Sequence, residues 1–118
     1  MSYYTSFETS LALREAGAPQ EIPAGGGYWR DFEDAQYLYV TAVDREAVED
    51  VIRSMRLDEI LEALGPPKGV HRVSVSGHPD RWEAWGNGFV PTAHASSPVE
   101  AMAAVYLAVL RAAREVAR

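Results

Sequence analysis

The segment Ser97-Pro98-Val99-Glu100 places a serine at a helix N-cap, a proline at the first helical position and a glutamate at the third. It predicts a helix from Pro98 to Ala117, along which Met102, Val105, Tyr106, Val109, Leu110 and Ala113 recur at helical spacing. An apolar stripe of that length has to be buried, and the alanines around it allow close approach to a sheet or to another subunit. The rest of the chain must therefore supply the surface it packs on.

The upstream residues supply both helices and strands. Thr5-Ser6-Phe7-Glu8 reads as a capping box, with the Thr5 hydroxyl meeting the Glu8 amide and the Glu8 carboxylate reaching back. The helix it starts runs through Leu11, Leu13 and Ala16 and stops at Gly17, with Pro19 beyond. Residues 20–27 are rich in proline and glycine and read as a loop. Residues 27–32 and 36–42, rich in aromatic and branched side chains, flank the turn Glu33-Asp34-Ala35 and predict a β-hairpin.

Residues 44–64 look helical but do not keep one phase. Val48, Val51, Ile52 and Met55 share one face at 100° per residue, whereas Leu57, Ile60, Leu61 and Leu64 lie about half a turn away. Two helices are predicted, 44–54 and 57–64, ending at Gly65-Pro66-Pro67. Residues 70–76 then alternate, with His71, Val73 and Val75 inward and Arg72, Ser74 and Ser76 outward. Gly77-His78-Pro79-Asp80 reads as a turn, 81–86 as a further strand, and Asn87-Gly88 as a hairpin turn before 89–94, an edge strand because Pro91 lacks an amide donor. The order α-β-β-α-α-β-β-(β)-α predicts one α+β domain over residues 1–118. Its expected architecture is an antiparallel sheet of four to five strands with helices mainly on one face.

Composition narrows the function classes. The chain has 118 residues, 47% hydrophobic and 24% charged, which fits a single globular core. A formal charge of -6 and a pI near 5.0 repel a phosphate backbone, so no nucleic-acid partner is expected. Cysteine is absent, which excludes disulfides and fits a reducing cytoplasm. The first twenty residues hold no basic start followed by an apolar stretch, and 101–110 is too short to span a bilayer, so neither secretion nor membrane insertion is expected.

The motifs of catalysis are missing. No serine stands in a Gly-x-Ser-x-Gly elbow, and Gly25-Gly26-Gly27 is followed by Tyr28-Trp29 where a phosphate loop would open a helix. His71, His78 and His94 have no metal-ligand spacing, so no metal and no cofactor are expected. His78 with Asp80 is the one close pairing of histidine and carboxylate in sequence, an acid/base candidate or a turn stabiliser. The acidic clusters 31–34, 44–50 and 58–62 read as a turn and two helix starts.

The aromatic residues point to recognition. If Leu38, Val40, Val73, Val75, Trp82 and Ala84 face the helices, alternation places Tyr37, Tyr39, Arg72, Arg81, Glu83 and Trp85 together on the opposite face, and Tyr28 and Arg30 join them if Trp29 points inward. Such a face can stack a flat ring and fork a phosphate or carboxylate, pack on another protein, or merely carry strand-favouring residues covered by arginine stems. An uncovered face of this size also leads us to expect a homo-oligomer, in the first instance a dimer.

Several segments resemble small accessory proteins of tailed bacteriophages. They are Leu13-Arg14-Glu15-Ala16-Gly17-Ala18-Pro19-Gln20, the strand start Tyr28-Trp29, the helix Leu57-Asp58-Glu59-Ile60-Leu61-Glu62-Ala63-Leu64-Gly65, Trp82-Glu83-Ala84 and Ser97-Pro98-Val99-Glu100-Ala101. Residues 44–55 depart from that pattern as an insertion. No site residues carry over from the group. The resemblance implies a phage accessory protein in the bacterial cytoplasm, a class that includes inhibitors of host defence which bind a host protein or sequester a nucleotide signal. The competing classes are a small enzyme using His78 and Asp80, and a structural virion component.

Overall fold

The computed structural model describes residues 3–65, 69–72, 81–86 and 93–116. They form α1 (Phe7–Glu15), β1 (Gly27–Asp31), β2 (Gln36–Val40), β3 (Ile52–Ser54), α2 (Leu57–Leu64), β4 (Gly69–Arg72), β5 (Trp82–Trp85), β6 (Ala93–Ala95) and α3 (Pro98–Val116). The expected α+β class is met. The turn at 77–80 with His78 and Asp80, the inward Val73 and Val75, the Asn87-Gly88 turn and Pro91 all lie outside the described residues.

Two antiparallel three-stranded sheets, ordered β2-β1-β3 and β4-β5-β6, stand where one sheet of four to five strands was expected. The cause is residues 44–54, which do not form the predicted helix. Arg45 and Ile22 exchange backbone hydrogen bonds of 2.8 and 2.9 Å, and the Asp44 carboxylate accepts from the Ala24 amide at 2.9 Å, so this stretch is tied down as a loop. Ile52 and Ser54 are then buried on either side of the less buried Arg53, which is the period of a strand. The new strand pairs Gly27 with Ser54 and Trp29 with Ile52. With β2 on one edge of β1 and β3 on the other, the first sheet is complete around β1 before β4 begins.

Local sequence accounts well for the helices. Ser6, rather than Thr5, caps α1, its side chain accepting from the Thr9 amide, and Gly17 takes the helix out at φ 101°, where a side chain would be strained. Thr5 instead turns inward. Ser97 accepts from the Glu100 amide at 3.2 Å as expected of an N-cap. The Glu100 carboxylate does not close a box on its own helix: it accepts from the Ser6 amide at 2.7 Å and from the Thr9 hydroxyl at 2.6 Å, fastening the start of α1 to the start of α3. Replacing Glu100 with alanine is expected to cost about 2 kcal/mol, because two hydrogen bonds to a charged acceptor are lost and the orphan amide of α1 is left behind. A drop in the urea midpoint with an unchanged slope would record it.

The core lies between α3, the other helices and the second sheet. Val99, Ala101, Met102, Ala103, Val105 and Tyr106 are buried, and Leu13, Ile60, Leu64 and Ala84 pack with them. Ala113, predicted to be in the stripe, is exposed, as are all residues of α3 from Arg111 to Val116. Among the described residues no helix is long and apolar enough to cross a membrane.

Candidate functional site

The first sheet carries the aromatic face. Its register sets Tyr28 opposite Tyr39 and Arg30 opposite Tyr37, and across the other edge Tyr28 opposite Arg53, so these residues share one face of the sheet. The Tyr28 and Tyr39 rings stack with centroids 5.4 Å apart and planes 17° from parallel. Arg45, reaching in from the loop before β3, lies 4.7 Å over the Tyr28 ring. At the other end of the hairpin, Phe32 meets Tyr37 edge-on at 5.7 Å while Arg30 sits 6.0 Å over Phe32. Tyr37 is 49% exposed, Phe32 43% and Tyr39 40%, so the face is open to solvent.

The opposite side of the same strands is anchored. Trp29 donates from its indole nitrogen to the Thr5 carbonyl at 3.0 Å and meets Phe7 edge-on at 6.1 Å. This inward tryptophan is what turns Tyr28 and Arg30 outward, as alternation predicted.

Four of the six residues proposed from sequence, Tyr28, Arg30, Tyr37 and Tyr39, are therefore brought together. Arg72 and Trp85 belong to the second sheet and do not join them. Nor do those two share a face: Arg72 is in register with Trp82 and Gly69 with Trp85, which sets Arg72 at the parity of Ala84 and Trp85 at the other. Trp85 is 39% exposed, and its ring lies so close over Gly69 that a Cβ there would sit 2.5 Å from the indole. Its position covers the β4 backbone, which gives it a part in holding the sheet.

A cleft of about 770 Å³ adjoins the aromatic face where the 19–23 and 44–46 loops meet β3 and α2. Ile22, Met55 and Tyr106 supply buried apolar lining. Burial pushes the Tyr106 hydroxyl pKa up, and the positive charge of Arg53 opposes this, so the phenol stays protonated at neutral pH. Arg53 spans cleft and sheet. It donates from Nη2 to the Glu59 carboxylate at 2.9 Å and from Nη1 to the Pro19 carbonyl at 3.2 Å, while its buried Nε has no hydrogen-bond partner.

Glu59, itself buried, accepts from Arg53 on one oxygen and from the Arg56 amide and Nε on the other, at 3.0 and 2.9 Å. The Arg56 pKa is shifted by desolvation, which lowers it, and by the Glu59 hydrogen bond and the nearby Asp58 and Glu59 charges, which together raise it above the usual value. With both oxygens committed, Glu59 serves as a fastener between β3 and α2 rather than as a free acid or base.

Glu21, Asp44, Glu46 and Glu62 complete the lining, and all four are exposed. Arg53 is paired with Glu59, and Arg45 keeps its charge over the neutral Tyr28 ring; with Glu21, Asp44, Glu46, Glu59 and Glu62 set against these two arginines, the lining still carries a negative excess. The helix predicted over 44–54 hides Arg45 and Arg53, since neither stands on an apolar face at helical spacing. The signal for Arg53 was the alternation of Ile52, Arg53 and Ser54.

Elsewhere, His94 and Glu83 face each other across β5 and β6 at 3.3 Å on the surface of the second sheet. Among the described residues no group of three or more histidines or carboxylates is arranged to hold a metal ion. No protein-family model, curated protein or solved structure matches the chain.

Proposed function

We propose that this chain is a non-catalytic binding protein, a phage accessory protein that engages a component of host defence in the bacterial cytoplasm, and that the aromatic face of the first sheet is its recognition surface. The observation that carries the reading is the open array of Tyr28, Tyr39, Tyr37 and Phe32, held rigid by stacking and by Trp29 beneath. Rigid aromatic side chains give up little conformational entropy on association and bring large contact area, which is why they dominate binding energy at interfaces. The phage assignment rests on the resemblance of the sequence segments. Between a protein and a nucleotide signal, charge favours the protein: a nucleotide would carry its phosphates towards four exposed carboxylates in the adjoining cleft.

Native mass spectrometry of protein purified from bacterial cells tests the reading, because it reports subunit number and any retained molecule together. A partner or a second copy held by the wild type and lost in the Tyr37→Ala/Tyr39→Ala variant is the expected result. Both tyrosines are open to solvent, so the variant should stay folded, with a stability loss of about 1–3 kcal/mol from the two ring contacts it gives up. Retention unchanged in a folded variant, or steady turnover of a metabolite that one substitution abolishes, would overturn it.

A further inference from the structure

We infer that the partner presents a basic segment, with arginine or lysine side chains that stack on the tyrosines of the first sheet and enter the acidic cleft beside it. This rests on the binding reading above and names the chemistry of the occupant. Two independent observations carry it. The first is that the rings of this face already receive cations. Arg45 lies over Tyr28 and Arg30 over Phe32, so the molecule itself shows the geometry in which a guanidinium rests on these rings. Tyr37 and Tyr39 are open on the same face for a cation from outside.

The second is the charge of the cleft. Glu21, Glu46 and Glu62 are exposed around it, and the two arginines in its lining are engaged with Glu59 and Tyr28. A cation entering there meets an excess of carboxylates over the one arginine of the lining not paired with an acid, above apolar lining from Ile22 and Met55, which suits the methylene stem and charged head of an arginine or lysine. Because cleft and rings are joined through Arg45 and Arg53, an extended segment can use both at once. A chain with net charge -6 also draws such a segment in by long-range attraction.

Fluorescence anisotropy with labelled peptides of about ten residues tests this. The probes are an alternating arginine–glycine peptide, its glutamate–glycine counterpart and a tyrosine–glycine peptide. The basic peptide should bind at least about tenfold tighter than either other, and its affinity should fall steeply as salt rises to about 0.3 M. Glu46→Lys/Glu62→Lys should weaken it by about tenfold or more, and Tyr39→Ala by about fivefold, with circular dichroism showing each variant folded. Neither acid belongs to the Glu59 network, so folding is not at stake.

Equal binding of the tyrosine–glycine peptide, or indifference to Glu46→Lys/Glu62→Lys, would overturn the basic segment. Absence of binding by the basic peptide would overturn it too. Full displacement of that peptide by spermidine at matched charge would assign the cleft to small polyvalent cations instead. The binding reading has a separate failure, retention that ignores Tyr37 and Tyr39, so the two are distinguishable.

Discussion

Replacing Glu59 with alanine is expected to destabilise the fold by about 3–5 kcal/mol. The magnitude follows from what is left behind. The Arg53 side chain is only 12% exposed, so without Glu59 its guanidinium would keep its charge in a partly desolvated site with one remaining acceptor, the Pro19 carbonyl. The same substitution removes the carboxylate that caps α2 through the Arg56 amide. Urea unfolding measures the loss. A double-mutant cycle separates the two causes: Arg53→Met in the Glu59→Leu background should recover much of the stability, because two apolar side chains no longer leave a buried charge. If the single alanine variant loses less than about 1 kcal/mol, the pair is solvated in solution and the fastening of β3 to α2 has another source.

Thr5→Val is expected to cost about 3 kcal/mol although it changes almost no volume. Thr5 is fully buried, and its hydroxyl accepts from the Met55 amide at 3.1 Å and lies 2.7 Å from Ser10 Oγ and 3.2 Å from Ser54 Oγ. Ser54 donates to the Thr5 carbonyl at 2.7 Å, and the Trp29 indole donates to the same carbonyl. Removing the hydroxyl strands a buried amide and deprives two serines of a partner, and each unsatisfied group costs about 1–3 kcal/mol. Thr5→Ser should restore most of the loss, since it keeps the oxygen. Because Trp29 is held through the same residue, Thr5→Val should also shift the tryptophan emission of the native state. A valine variant as stable as the wild type would mean that these hydroxyls are satisfied without Thr5.

These two sites hold β3 through neighbouring residues, Arg53 by Glu59 and Ser54 by Thr5, and β3 lies in the stretch predicted as helix, which is where legibility ended. Val48, Val51, Ile52 and Met55 recur at spacings that a helix would also produce, and over so short a stretch period 3.6 and period 2 are hard to tell apart. What decides is partner availability: β1 has a free edge, and the Ile22–Arg45 bridge delivers the chain to it in extended form. The face of the hairpin was legible because the two strands pair residue for residue over five positions, so that Trp29 inward sets Tyr28, Arg30, Tyr37 and Tyr39 outward; Val40, expected to face the helices with Leu38, is instead 59% exposed at the end of the edge strand. The cleft was not legible, since its lining comes from five separate segments.

What the sequence determined alone is what depends on near neighbours. Ser97 and Pro98 start α3, Gly17 ends α1, Leu57 to Leu64 form α2, and the hairpin alternates, because caps, proline and glycine geometry and side-chain period act within a few residues. Tertiary structure alone decided where the polar groups freed by those local choices would go. Glu100 leaves its own helix to cap α1, Thr5 gives up the cap to join Ser10 and Ser54, Glu59 reaches across to Arg53, and Trp85 covers Gly69. A buried donor or acceptor is costly without a partner, and of these side chains only Arg53 leaves one atom, Nε, unpaired. Which partner lies within 3 Å is a property of the packed chain and is written in no single segment of it.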